Sequence, residues 1–516
     1  MTQEKNICTD LGAAFRMKPF YWWSVILTAV SCYGFTLTNH SKGVDDVHMI
    51  LYFEWKELLR QGRFGTEFLM PFLDISDFIP FWVDFTAVCL FVLGAWLWSR
   101  VFLSSMKQKS YAAATIFSCL LISCPYIAHM FVFMPTTIPF GMILVLSGIS
   151  VWCYQRGIAG DKVWRWSVLA AVPGALAVGF YEHAVLFVAV GGFSVLFLRS
   201  FFGKLKRAWT AVGGLALVGA ATMVLSRVIL QLFLWGYHLD SYSYASRYIA
   251  YSGDGLLFQI LSFPLHFLRS LWTGAADDLV LREVVWIGVL MLAAGVFACV
   301  SRKKGWPLLC VLAQFGCAFA LPVVTGNIDL PKRTRIVYAM LIACSAMQIY
   351  VVLRECAAAR KNTGVLAALR IAAAALLVLL VLNQSRAMNC VFYADYSRYQ
   401  LDVSKAEQLD FVIQTQTERS DELPVVFVGQ PEPYDTLPYE DPLGGSYFNF
   451  FASEGLSESD GYIHYFMEAC GSRYLMANSA DVLNQAQETA EEMPEFPKEG
   501  AVVETDEYIV VNLGNG

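Results

Sequence analysis

Charge is scarce in this sequence. Only 16% of its 516 residues are Asp, Glu, Lys or Arg, while 57% are apolar, and the mean hydropathy is +0.50. That balance excludes a soluble enzyme and points to an integral membrane protein. Histidine is sparse too, with seven in the chain, and there is no Cys-x-x-Cys pair or His-rich cluster. The common structural metal sites are therefore not expected. Internal repeats, low-complexity tracts and a recognisable nucleophile motif are missing. No small-x-small cleavage pattern follows the first apolar segment, so that segment reads as a retained span. Of the 13 cysteines, ten lie in or beside apolar segments, where a cysteine is usually a small buried hydrophobe. Cys390 and Cys470 lie downstream, and sequence leaves their pairing open.

The net charge of −6 conceals an asymmetry. From Ala387 onward there are 24 acidic and 5 basic side chains, against 19 and 32 before it. The chain divides on this basis into a basic membrane body, 1–386, and an acidic soluble domain, 387–516. An acidic domain does not suggest nucleic-acid binding. Within it, Leu401 to Gln414 and Tyr462 to Ala469 have helical spacing, while Pro424 to Gly429 and Tyr508 to Asn512 read as buried strands. A small α/β domain is expected.

Apolar runs predict about eleven spans, at 20–38, 79–100, 112–129, 135–155, 165–181, 184–200, 208–234, 283–300, 306–325, 334–353 and 364–383. Leu256 to Thr273 is broken by Pro264, His266 and Arg269 and reads as an interfacial or re-entrant helix. Every second loop is basic: Lys107 and Lys109, Arg156 and Lys162, Lys204 to Arg207, Arg302 to Lys304, Arg360 and Lys361. Such loops face the cytoplasm. The alternate loops carry aspartates and face outward, and an odd number of spans puts the acidic domain outside as well.

Three constellations in the outward loops could carry chemistry. The first is Asp45-Asp46, followed by an amphipathic stretch, Val47 to Arg60. Its apolar residues fall three to four apart, the pattern of a helix lying on a membrane surface. Carboxylates at a membrane boundary are costly and usually functional. An aspartate at a helix start can also simply cap free N–H groups, which accounts for one of the pair more easily than for both. The second constellation is Tyr181-Glu182-His183, which interrupts a long apolar run; the plain alternative is an ordinary tight outer turn. The third is Lys332, Arg333 and Arg335, cations placed against the positive-inside trend. An anionic lipid phosphate would offset them, because the Arg fork matches phosphate oxygens. Pairing with Asp329 or with lipid headgroups would offset them too.

Asp45-Asp46-Val-His48 with Gly62-Arg63-Phe-Gly65 downstream, then Tyr181-Glu-His183 and Lys332-Arg-Thr-Arg335, resembles membrane glycosyltransferases of the GT-C fold. Among these the motifs are most similar to the bacterial serotype-converting glucosyltransferases, which add glucose to O-antigen from an undecaprenyl-phosphate donor. The resemblance implies a polytopic α-helical membrane enzyme of the bacterial plasma membrane, with interfacial helices and an extracytoplasmic active site. It would transfer a hexose from a polyprenyl-phosphate sugar to a surface polysaccharide, with inversion. Asp45 or Asp46 would be the general base. Lys332, Arg333 and Arg335 would bind the donor phosphate. Tyr181, Glu182, His183, His48 and Arg63 would bind substrate. No cofactor is required, although a divalent cation could sit between the two aspartates. A lipid-linked glycan flippase, or a polysaccharide polymerase, would share the many spans.

Overall fold

The structure, a computed structural model, describes residues 17–515 apart from 45, 48–54, 70–78, 132–133, 161, 241–261, 264, 266–268, 270–280, 328–329, 331, 360–362, 433, 435–444 and 451–454. Long apolar helices make up the first three quarters of the chain. They are α1 (Pro19–Thr38), α4 (Pro80–Ser105), α5 (Tyr111–Ile122), α7 (Met134–Ala159), α8 (Val163–Phe180), α9 (Ala184–Phe201), α10 (Ala208–Tyr237), α11 (Leu281–Arg302), α12 (Trp306–Ala318), α14 (Val337–Ala359) and α15 (Thr363–Gln416). Short helices punctuate the loops at one end: α2 (Trp55–Arg60), α3 (Thr66–Leu69), α6 (Ala128–Phe131) and α13 (Ala320–Thr325). Prolines open α1 and α4, where a missing N–H costs nothing.

Among the described residues, eight helices are long and apolar enough to cross a membrane. A ninth crossing results if α5 and the bent segment Pro125–Phe131 form one span. Trp286–Ser301 and Trp306–Ala318 are shorter apolar helices, and the expected count of about eleven is reached only if both also cross. The surface of this body is apolar where α1, α10, α11 and α15 form its periphery: Trp23, Val224, Val300 and Ile371 are all exposed. Such a surface is stable against lipid and not against water.

The interior is held by packing and a few polar ties. Trp98 of α4 is fully buried between helices, and its indole N–H donates to the Leu144 carbonyl at 3.0 Å. Gln314, Gln348 and Ser194 link α12, α14 and α9: the Ser194 hydroxyl and the Gln348 amide each donate to Gln314 Oε1 at 3.0 Å. Buried side-chain hydrogen bonds of this kind hold membrane helices in register.

The boundary drawn at 386/387 falls inside α15, which runs without a break into the C-terminal domain. There it meets β1 (Val425–Gln430), α16 (Leu456–Ala469), α17 (Ala480–Glu491), β2 (Val502–Glu504) and β3 (Ile509–Asn515). The sheet order is β1-β3-β2, with β1 parallel to β3 and β2 antiparallel to it. The helix and both strands expected after Leu423 are present. α17 and β2 carry too few apolar residues to stand out in sequence. Cys390 and Cys470 are not joined.

One feature ties the domain to the membrane body. Val44 and Val47, from the loop after α1, are buried in the domain's own core with Ala406, Leu409, Ile463 and Phe466. The loop after α1 is thus built into the C-terminal domain, and the two share one end of the molecule. The interfacial segment Leu256 to Thr273 and most of the amphipathic stretch after Val47 lie outside the described residues. The described end of that stretch, α2, turns Leu59 against Phe64, Leu230 and Leu234, so its apolar face meets α10.

Candidate functional site

The loop after α2 is pinned to the end of α8. The Gly65 N–H donates to the Gly179 carbonyl at 2.7 Å. A Cβ on Gly179 would come 2.4 Å from the Phe64 ring, and one on Gly65 would come 2.7 Å from Phe180. Only glycine at both positions allows this approach. It brings Arg63 over the Tyr181 ring, with the guanidinium 5.3 Å from the centroid, a cation–π geometry. Tyr181 in turn stacks on His183 at 4.7 Å and 17°.

His183 is the central group of this cluster. Neither ring nitrogen has a hydrogen-bond partner among the described residues, although both atoms are buried. Burial, reinforced by the nearby Arg63 and Arg333 cations, pushes its pKa down to about 4. It is therefore a neutral imidazole at physiological pH, offering one donor and one acceptor. Glu182 points away from it, with Oε1 3.7 Å from Arg227 Nη2; both side chains are half exposed, so the pair contributes little to stability. Arg227, a cation within the apolar α10, thus partners the glutamate of the motif.

Arg333 and Arg335 lie in a short 3-10 turn, Lys332–Ile336. This turn packs against α6, α14 and the 3-10 turn at Pro125–Ile127. Arg335 is buried, and Arg333 is near enough to His183 to depress it. The side chain of Lys332 lies outside the described residues. Arg63, Tyr181, His183 and Arg333, which are far apart in sequence, are thus brought together.

The acidic pair has a different setting. Asp45 and His48 lie outside the described residues. Asp46 is fully buried. Its Oδ2 accepts from the Gly43 N–H at 2.8 Å, and its own N–H donates to the Gly43 carbonyl at 2.9 Å. The carboxylate thus reaches back to cap a backbone N–H three residues before it and closes the turn at Gly43.

Around that turn lies a buried polar network with no signature in sequence. Arg398 of α15 has no exposed surface and bonds Asp395 Oδ1 and Asp402 Oδ2, each at 3.1 Å. It also donates to the Lys42 carbonyl at 2.9 Å. The Ser41 hydroxyl donates to Asp395, and the Tyr447 hydroxyl donates to the Gly43 carbonyl. Asp402 accepts further bonds from Tyr434, Ser446 and the Tyr447 N–H. Apart from the Arg398 Nε, which has no partner among the described residues, the polar groups satisfy one another, so the network fastens the acidic loop to the C-terminal domain.

Sequence reasoning also missed Asp84. It lies one turn into α4 and is almost fully buried, and its Oδ1 has no partner among the described residues. Its Oδ2 lies 4.0 Å from Nδ1 of His40, an imidazole whose pKa burial lowers. An aspartate inside an apolar run was the available signal. Among the described residues no three acidic, His or Cys side chains are grouped to hold a metal ion.

Residues 34–353 match the family model described as Glucosyl transferase GtrII. No curated protein matches the chain. Two solved structures are similar in shape, both of the oligosaccharyltransferase of Archaeoglobus fulgidus. One is tethered to an acceptor peptide containing the NVT sequon; it has a TM-score of 0.41 and 12% identity, covering 88% of this chain and 68% of that one. The other, AglB in complex with an inhibitory peptide and a dolichol-phosphate, has a TM-score of 0.40 and 11% identity, covering 88% and 69%.

Proposed function

The chain belongs to the GtrII glucosyl transferase family and is a membrane glycosyltransferase; from that premise we propose that it moves glucose, or a closely related hexose, from a polyprenyl-phosphate donor to a surface glycan. Transfer would take place outside the plasma membrane of a bacterium. Family membership favours transfer over the transport reading that the spans alone allow.

The acceptor hydroxyl attacks the anomeric carbon as the bond to the lipid phosphate breaks, through a transition state with oxocarbenium character. The hydroxyl proton passes to a carboxylate, and the bonding electrons leave with the phosphate. One displacement inverts the anomeric centre. Arg333 and Arg335 would receive the charge that grows on the phosphate. Neutral His183, stacked on Tyr181 under Arg63, would hold a sugar hydroxyl. The observation that carries this reading is the meeting of Arg63, His183 and Arg333, with both imidazole nitrogens unpaired among the described residues. Because Asp46 is buried and occupied in capping, Asp45 is the base we favour, with Asp84 next.

The test is turnover of polyprenyl-phosphate-glucose by the purified chain. Asp45→Asn should lower the rate by about 10²–10⁴ while the protein still inserts. Full activity in that variant would remove Asp45 as base and direct the search to Asp84.

A further inference from the structure

The C-terminal domain holds a cavity that the catalytic reading does not use. Its volume is about 420 Å³, within the roughly 300–1,000 Å³ typical of small-ligand sites. It opens at the carboxyl ends of β1 and β3, which are parallel neighbours. Ligands in open α/β sheets bind at this edge, where strands give way to loops and leave a crevice.

Two glycines make its floor. Gly429 has φ 84° and Gly514 φ 110°, and they pair across a bulge. A Cβ on Gly429 would come 2.0 Å from the Gly514 carbonyl oxygen. Any side chain there would break the pairing and intrude on the floor. The rim is polar: Gln430 comes from β1, Gln487 and Glu491 from α17, and Glu495 from the turn beyond. None of these four side chains is engaged by another of the described residues. Asn512, also in the lining, is by contrast fully tied, donating to the Ala490 and Met493 carbonyls and accepting from the Gly514 N–H.

The donor set selects the ligand. Two carboxylates and two amides face the space and no cation lines it among the described residues, so a phosphate, a uronic acid or a lipid anion would be repelled. A neutral molecule rich in hydroxyl donors satisfies these acceptors. We infer that the cavity is a subsite for one or two neutral sugar residues of the acceptor glycan. This rests on the glycosyltransferase reading above for the identity of the glycan, and on the cavity alone for its chemistry. The Arg398 network holds this domain against the acidic loop, so a polymer gripped here is tethered at the end where transfer is proposed. Tethering raises the local concentration of acceptor ends.

The experiment uses the full-length chain in nanodiscs, first against a printed array of neutral and uronic-acid-containing oligosaccharides. Neutral members should be retained and acidic ones rejected. The double variant Gln487→Ala/Glu491→Ala should weaken retention about tenfold, the effect of losing hydrogen bonds to a charged and a neutral acceptor. Both positions are exposed on a helix that alanine favours, so the fold should survive. In the transfer assay the same variant should raise KM for a polymeric acceptor about tenfold and leave kcat and donor hydrolysis by water unchanged. No retention of neutral glycans, equal retention by the variant, or a change in kcat instead of KM would each overturn the subsite. Retention lost in the variant, with no transfer by the wild type from any donor, would uphold the subsite and remove the enzymatic reading.

Discussion

At the scale of single residues, two buried titratable groups set opposite pH dependences. His183 has its pKa pushed down to about 4 from an ordinary value near 6.5. Between those values the unfolded chain binds a proton that the folded chain does not. Stability from this group is therefore greatest above about pH 6.5 and falls as the pH drops toward 4. His183→Gln should lose less melting temperature between pH 7.5 and pH 5 than the wild type, measured on the purified protein. Equal losses would mean that the imidazole is not buried neutral. Asp460 behaves in the reverse sense. Burial, only partly offset by the Phe427 N–H it accepts at 2.8 Å, pushes its pKa up to about 7. The folded chain keeps that proton where the unfolded chain has lost it, so stability falls as the pH rises from about 4 to 7. Asp460→Asn retains an acceptor and removes the charge. It should protect the β1 amides against hydrogen exchange at pH 8 by at least about 1 kcal/mol; unchanged or weaker protection would count against a protonated Asp460.

At the scale of elements, α15 carries the largest debt. Its first turns face lipid, and its later turns hold Arg398, Asp395 and Asp402 without solvent. Removing one member of a buried ion network leaves the others uncompensated, at a cost of about 3–5 kcal/mol, whereas neutralising all of them together costs far less. Arg398→Ala should therefore expose the loop at 41–47 to limited proteolysis and lower the melting temperature. Adding Asp395→Asn and Asp402→Asn should restore most of the stability. If Arg398→Ala alone changes neither readout, the loop is held by Val44, Val47 and Tyr447 instead. The spans and the strands of the C-terminal domain were legible from apolar runs. α17 was not, because its buried face is only Ala486 and Ala490 with half-buried Val482 and Leu483.

At the scale of the whole molecule, the acidic loop and the C-terminal domain occupy one end because they share a core. Lys303, in a basic loop, belongs to the opposite end by the alternation of helices. Reporter fusions at Lys303 and at the C-terminus should then report opposite sides of the membrane. The same side for both would place the domain in the cytoplasm and remove it from any surface glycan.

Composition and the alternation of basic loops were enough to decide that this is a polytopic membrane protein with an acidic folded domain, because apolar length and charge placement are properties of the chain itself. The motifs at Arg63, Tyr181 to His183 and Arg333 were legible one by one. That they meet was decided by tertiary structure, through the close approach of Gly65 to Gly179, which no local spacing encodes. The same holds for Asp46, whose burial and bond to the Gly43 N–H arise only once Val44 and Val47 pack into the core of the C-terminal domain. Asp84, Arg398 and the glycine-floored cavity depend wholly on burial and on partners distant in sequence, and those are set only when the helices pack.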